Sequence, residues 1–266
     1  MVEKDFPSVK LIRNPENYGF AKANNIGIRA AEGKYVCLVN SDTILKDDCL
    51  DKMCEYLEAN TEIAVLGPKL LWKDLSLQWS CRKFPSLWNT LCPALGLTRL
   101  FPRVPFLSGE HMGYFQHDKI IEVDALVGAF LMVRSEAISS VGLMDENYFF
   151  YCEEIDWCKR FKNAGWKVVF YPQAQVVHLG QGSASQEPER FKRQFILSNV
   201  RYWKEHHNYI ERTFFYMIVL GRHSIRLAIN AFLYMIAPSL REKTGKALKG
   251  SKTAIKTLCA MGSCTD

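Results

Sequence analysis

A chain of 266 residues, 48% hydrophobic and 12% aromatic, carries enough apolar material for one large core, which excludes disorder as the default. Its 34 Lys and Arg against 28 Asp and Glu leave a formal charge of +6, too small and too mixed in sign to indicate a nucleic-acid binder, although phosphate-bearing partners and anionic membrane surfaces stay compatible. None of the nine cysteines forms a Cys-x-x-Cys pair, MVEKDFPSVK lacks the apolar centre of a signal peptide, and no uncharged apolar run reaches the ~18–20 residues of a membrane span. The expected setting is a reducing cytoplasm, with the thiols packed as small hydrophobes.

In chain order, SVKLIRN (8–14) reads as a strand, GFAKANNIGIRAA (19–31) as a helix and KYVCLVN (34–40) as a buried strand. DDCLDKMCEYLEAN (47–60) is an amphipathic helix leading into strand IAVLGP (63–68). This alternation predicts an α/β fold with a largely parallel sheet. Between Lys73 and Asp118 the pattern dissolves into Trp, Pro and Gly, which suggests long loops over an active-site face. KIIEVDALVGAFLMV (119–133) reads as a strand pair, SEAISSVG (135–142) as a short Ser-capped helix ending in Gly, and EEIDWCKRFKNAGW (153–166) as a helix closed by Gly165. Two short strands follow, WKVVFYP (166–172) and AQVVHLG (174–180), then a polar loop and a helix from about Glu187 to His206. Tyr209 to Ile236 reads as another helix, its polar Arg212, Arg222, His223, Arg226 and Asn230 within an arc of roughly 100°. The Lys-rich segment after Arg241 is expected to be loose.

Three features carry chemistry. Asp42 ends the apolar strand YVCLV in the turn NSDT, where open α/β sheets bind ligands and a carboxylate can hold a divalent cation against phosphate; a helix-capping turn is the competing reading. Glu153, Glu154 and Asp156 crowd the start of a helix, where mutual repulsion can raise one pKa toward that of a general base. A solvated first turn is the alternative, against which stands the aromatic run Tyr148, Phe149, Phe150, Tyr151. His178 sits at a strand end before GQGSAS, a loop able to wrap phosphates, although a lone histidine is more often a core residue.

The order NPENYGFAKANNIGIRAAEGKYVCLVNSDT (14–43), then DALVGAFLMVRSEAISSVGLMDENYFFYCEEIDWCKRFKNAGWKVVFYPQAQVVHLGQGS (124–183), resembles glycosyltransferase family 2, especially its rhamnosyltransferase-like branch, over about residues 9–205. The resemblance implies a GT-A fold with a mixed, mainly parallel sheet flanked by helices and a C-terminal helical extension. It implies donor contacts from Asn17, Gly19, Phe20 and Asn25, and from Asn40 and Ser41, where Ser41 stands for the family's Pro and leaves the metal carboxylate Asp42 intact. Gly128 and Ala129 would approach the sugar, Trp157 and Arg160 would shape the site beside the base, and His178 would complete the contacts to metal or diphosphate. The base would be Glu154, a longer side chain than the family's more frequent Asp, in a catalytic group with Glu153 and Asp156.

The implied reaction is an inverting transfer of rhamnose or a similar sugar from a nucleotide-sugar donor, with Mg²⁺ or Mn²⁺, to a hydroxyl of a glycan or polyprenyl-linked acceptor in cell-surface polysaccharide synthesis. Residues 1–206 would be the transferase domain, 207–240 an amphipathic helical extension and 241–266 a basic flexible tail. The extension suits the inner face of the plasma membrane, or else packing on the domain or a second copy as a homodimer. No nucleic-acid partner is expected. Family members normally open with a strand, a helix and a strand before the equivalent of Ser8, so the nucleotide-binding half is expected to lack its N-terminal part and this chain to bind donor poorly by itself. A non-catalytic, acceptor-binding remnant is the alternative function.

Overall fold

The computed structural model describes residues 2–46, 48–180 and 187–262. Among the described residues nine strands, β1 (Tyr35–Val39), β2 (Thr43–Leu45), β3 (Ile63–Leu71), β4 (Leu77–Gln78), β5 (Cys81–Arg82), β6 (Ile121–Glu122), β7 (Ala125–Leu126), β8 (Phe130–Arg134) and β9 (Lys167–His178), form one seven-stranded sheet and a small β5–β7 pair. The main order is β1-β8-β3-β9-β2, with β4 on β3 and β6 on β9. The α-helices that accompany them among the described residues are α1 (Val2–Asp5), α2 (Phe20–Arg29), α3 (Cys49–Ala59), α4 (Leu87–Ala94), α5 (Leu97–Leu100), α6 (Ser135–Val141), α7 (Glu153–Asn163), α8 (Pro188–His206), α9 (Tyr209–Ile236) and α10 (Arg241–Gly262).

Period-two alternation splits the core into two layers. Val65, Leu131, Val133, Val168 and Phe170 face α2, α6 and α7, whereas their neighbours Leu66, Phe130, Met132 and Val169 face Met53 and Leu57 of α3. A third cluster, with Tyr148, Tyr202, Trp203, Phe215 and Leu258, lies among α8, α9 and α10. Arg134 is 3% exposed and donates to the carbonyls of Leu57, Asn60 and Ile63, closing the C-terminal end of α3.

Several expectations change. The sheet is mixed, but β3 with β9 is its single parallel pairing among the described strands, because β8 returns antiparallel to both β1 and β3. Residues 8–14 form no strand; Val9, Leu11 and Ile12 are exposed, since alternation supplies β-propensity but a strand needs a ladder partner. WKVVFYP and AQVVHLG belong to one strand, β9, which carries its interruption as a register shift against Pro68 and Lys69. Ser135 does not cap α6; its hydroxyl donates to the Gly33 carbonyl. The segment expected to be a loose tail is helix α10, with Ala254 and Leu258 buried against its neighbours, and only residues 263–266 of it lie outside the described residues.

The N-terminus of α2 is stitched to the segment ahead of α7. Phe20 N donates to the Phe149 carbonyl at 2.8 Å, and Gly19, at φ 79°, would bring a Cβ to 2.2 Å from the same oxygen. Gly19→Ala is therefore expected to destabilise the fold by roughly 2–4 kcal/mol, combining positive-φ strain with a backbone clash. Gly142→Ala, at φ 88° with nothing within 4 Å of the added carbon, is the control at about 1 kcal/mol, and urea unfolding of the two variants makes the comparison.

Candidate active site

The turn after β1 is pinned from two sides. Asn40 N donates to the Ala129 carbonyl at 3.0 Å and Thr43 N to Asn40 O at 3.1 Å, while Leu179 N donates to Asp42 O at 2.9 Å. Thr43 opens β2 directly opposite His178, so Asp42 and His178 meet, with His178 Nε2 3.3 Å from Asp42 Oδ1. The other ring nitrogen, Nδ1, faces Gln78 Oε1 at 3.1 Å. With Nδ1 donating to that oxygen, Nε2 presents a lone pair to a carboxylate, and two acceptors at this separation call for a proton or a cation between them. A carboxylate and an imidazole are also a suitable donor set for Mn²⁺ or Mg²⁺, so this pair fits the metal that the sequence implies.

On the other side of Ala129 lies Gly128. A Cβ there would touch the Phe20 ring at 3.5 Å and Glu154 Cβ at 3.7 Å, which places Glu154, Gly128, Ala129, Asn40, Asp42 and His178 in one continuous array. Asp42 and His178, expected to share a cleft with Glu154 and Asp156, are in contact.

The chain enters α7 through Tyr151 and Cys152, both left-handed at φ 72° and 68°. Strain in two successive bulky residues is tolerated where the surroundings hold them, as here by Ser198 Oγ donating to the Phe150 carbonyl and by Tyr151 packing against Phe191 and Phe195. Burial pushes the Glu154 carboxyl above its ordinary value, and backbone hydrogen bonds and the Arg82 charge draw it partly back. Burial, then the charge of Glu154, raises Glu153 well above the usual range. The Oε2 atoms of both are buried without a hydrogen-bond partner. Arg82 also faces Glu110, whose carboxyl burial raises to about 7 against the pull of that guanidinium.

Some site residues are spent on scaffold instead. Glu154 and Asp156 are two residues apart, about 200° around a helix, and so point to opposite sides. Asp156 is 2% exposed, bound to Arg160 at 2.8 Å and to His206 at 2.7 Å beneath α8. Glu153, at 4% exposed, is enclosed and reaches no open surface, so neither of these carboxylates joins Glu154 at a substrate. Trp157 sits in the core with its indole N–H on the Gly142 carbonyl, and Arg160 holds the carbonyls of Val141 and Leu143. Asn25 is fully buried, bonded to Met144 and Glu146, and has nothing left for a donor. Asn17 accepts from Gly19 N in a tight turn, and Ser41 is exposed beside Asp42. Residues 181–186, most of the loop expected to wrap phosphates, lie outside the described residues.

Asp156, Glu205 and His206 bring one ligand atom each within 4.8 Å of one another. Glu205 is already matched by Arg201 and the Tyr148 hydroxyl, and Asp156 by Arg160, so this group is compensated without an ion. The residues missed from sequence are Arg82, Glu110 and Gln78, all within the irregular 73–118 stretch, whose one legible signal was its expected place over the active-site face.

A family model described as "Glycosyl transferase family 2" matches residues 1–119. The chain is similar to N-acetylglucosaminyl-diphospho-decaprenol L-rhamnosyltransferase of Mycobacterium tuberculosis, 28% identical over 69% of this chain and 62% of that protein. It is also similar to rhamnosyltransferase WbbL of Escherichia coli, 29% identical over 60% of this chain and 61% of that one. The chain thus spans about three fifths of the length of these curated relatives. Among solved structures it resembles the mannosyltransferase PcManGT from Pyrobaculum calidifontis, in complex with GDP-Man and Mn²⁺, at a TM-score of 0.50 and 14% identity over 96% of this chain and 72% of that one. That likeness and the mixed sheet give the fold as GT-A.

Because Glu153 holds its proton more tightly when folded than when unfolded, the stability linked to it is full below the ordinary carboxyl value and falls as pH rises through the raised one. Glu153→Gln is expected to unfold at the same temperature as the wild type near pH 4 and a few degrees higher at pH 8. Thermal scans across that range check it, and parallel pH profiles would contradict the burial of a titrating Glu153.

Proposed function

This chain belongs to glycosyltransferase family 2, and we propose that it provides the catalytic and acceptor-facing part of an inverting transfer of rhamnose or a similar sugar from a nucleotide sugar to a hydroxyl of a glycan or lipid-linked acceptor. The observation that carries this reading is the array in which a desolvated Glu154 and the Asp42–His178 pair flank Gly128 and Ala129.

Glu154 is the general base. Its raised pKa makes its carboxylate basic enough to take the proton from an acceptor hydroxyl as that oxygen attacks the anomeric carbon opposite the departing nucleoside diphosphate. Backbone hydrogen bonds, and then the charge of Arg82, limit the rise. Gly128, without a side chain, leaves the surface beside Glu154 open to a sugar. Asp42 and His178 would hold the divalent cation, oriented by Gln78 behind the imidazole; when bound, that ion supplies charge neutralisation to the leaving diphosphate. The rhamnosyltransferase names of two relatives favour a deoxyhexose donor.

We also assign membrane contact to α9. No helix among the described residues is long and apolar enough to cross a membrane. Yet Phe214, Met217, Ile225, Ile229, Phe232 and Met235 are exposed along α9, and the chain beyond α4, which packs on α9, exposes Leu95, Leu100 and Phe101. The polar stripe is unevenly placed: His223 is 5% exposed, Arg212 and Arg222 are half-buried and Arg226 is exposed. Large apolar side chains exposed along a helix whose other edge is packed on the protein suit an interfacial helix.

Two measurements test these assignments. Glu154→Gln is expected to lower the transfer rate roughly 10²–10⁴-fold with donor affinity unchanged, whereas Asp42→Asn should weaken Mn²⁺-dependent donor binding by about tenfold or more in calorimetry. A wild-type rate that climbs with pH only above the ordinary carboxylate range would accompany this, and a chain that binds no nucleotide sugar would leave the non-catalytic remnant. In flotation with anionic liposomes, Ile225→Glu/Ile229→Glu is expected to stay at the bottom of a gradient in which the wild type rises; equal flotation, or sedimentation of the wild type as a dimer that the variant lacks, would remove the membrane assignment.

A further inference from the structure

We propose that Lys192, Arg222, His223 and Arg226, gathered where α8 packs along α9, seat the diphosphate of a lipid-linked acceptor. The inference rests on the transferase reading and names the class of its acceptor.

Lys192 and Arg222 are both half-buried, and the charge of the exposed Arg226 acts on each. His223 is 5% exposed and its Nδ1 has no hydrogen-bond partner. Among the described residues no carboxylate pairs with Lys192, Arg222 or Arg226, because the acids of these helices are engaged elsewhere: Glu187 with Arg190, Glu205 with Arg201, Glu211 with His207 and Glu242 with Lys246. Glu189 lines a separate groove on α8 with Arg190 and Arg193. Burial, and then the charges of Lys192, Arg222 and Arg226, depress the His223 ring to about 4, which leaves it neutral and able to donate one N–H. Like charges brought together, two of them half-buried, without a counter-ion are an unfavourable arrangement that an anion relieves, and guanidinium groups match phosphate oxygens in pairs.

The position selects the anion. One residue before Lys192, Phe191 packs on Phe150 and Tyr151, the segment that leads into Glu153 and Glu154, so the cluster lies beside the rim of the site. On α9, Ile225 and Ile229 are exposed immediately beside Arg222 and Arg226. A ligand satisfying both surfaces has an apolar chain joined to a concentrated negative charge. A diphosphate gathers at least two charges within one group, as three cations require, whereas a phospholipid headgroup with a single phosphate does not.

The test uses the full chain in EDTA, which removes metal-dependent binding at Asp42, and titrates farnesyl diphosphate, inorganic diphosphate and phosphatidylglycerol vesicles. Lys192→Gln/Arg222→Gln/Arg226→Gln is expected to weaken farnesyl diphosphate at least tenfold, while Arg193→Gln/Lys256→Gln, in the separate groove, changes it less than twofold. Lys192→Glu, which supplies the missing counter-charge, should abolish binding and raise the unfolding temperature, so loss of binding is separated from loss of fold. Inorganic diphosphate binding as tightly as the farnesyl ester would overturn the lipid assignment. Vesicle binding lost in the triple variant with farnesyl diphosphate unaffected would mark a general membrane contact and overturn the proposal. Lys192-dependent farnesyl diphosphate binding in a chain that binds no donor with Mn²⁺ would sustain this site and refute the transferase reading instead.

Discussion

Two adjacent carboxylates, Glu153 and Glu154, are taken out of water at the start of α7, and much of the surrounding structure is explained by what that requires. An unpaired buried carboxylate is costly enough that it gains a proton or finds a partner. Here the compensation is partial: backbone N–H groups at the helix N-terminus and one guanidinium, Arg82, from a distant irregular segment. The remainder is stabilised by rigidity. Phe149 O is held by Phe20 N, Phe150 O by Ser198, and the carbonyls of Val141 and Leu143 by Arg160, so the loop cannot relax to let water reach the two acids. Left-handed Tyr151 and Cys152 belong to the same account, since only an over-determined loop sustains ~1–3 kcal/mol of strain at each.

The sheet then determines what faces Glu154. Counting through the antiparallel β1–β8 and β8–β3 pairs and the parallel β3–β9 pair, β1 and β9 run in the same direction and end on the same edge. Asp42 follows β1 and His178 ends β9, and the short return strand β2 pairs Thr43 with His178, drawing the two ligand groups together although 136 residues of sequence separate them. β8 lies between, and the two residues before it are Gly128 and Ala129, whose carbonyl anchors Asn40. On the proposed reading, a substrate on this edge would meet Glu154 on one side and the Asp42–His178 pair on the other without any long loop having to carry both.

Element type was legible wherever periodicity was strong, as in α2, α3, α7, α8 and α9, and the strand-end logic placed Asp42 and His178 correctly. Helix geometry applied to EEID would also have separated Glu154 from Asp156, since two residues cannot share a helical face. Strand direction was less accessible, because β8 arrives after a long irregular excursion whose path has no local signature. Arg82 and Glu110 escaped notice for the same reason. The roles of Asn25, Trp157 and Arg160 were lost differently: a resemblance transfers positions, and only contacts reveal that their polar atoms are already satisfied within the scaffold.

Helix α9 exposes the limit of an amphipathic pattern read by itself. A wheel that separates Arg212, Arg222, His223 and Arg226 from a broad apolar face does not say which face meets the protein, and the default for a water-soluble domain is apolar inward. Here tertiary packing divides the apolar face, burying Phe215 in the third cluster and leaving Phe214, Met217, Ile225 and Ile229 outside. Capped by the reciprocal Asn208–Glu211 pair and braced by α10, the helix is held firmly enough to keep a half-buried cationic edge against α8 and large apolar side chains toward the outside. Each half of that arrangement is unfavourable in water, the first through unpaired charge and the second through exposed hydrocarbon. The membrane contact proposed for α9 would relieve both together, because an interface presents phosphate and hydrocarbon at adjoining depths.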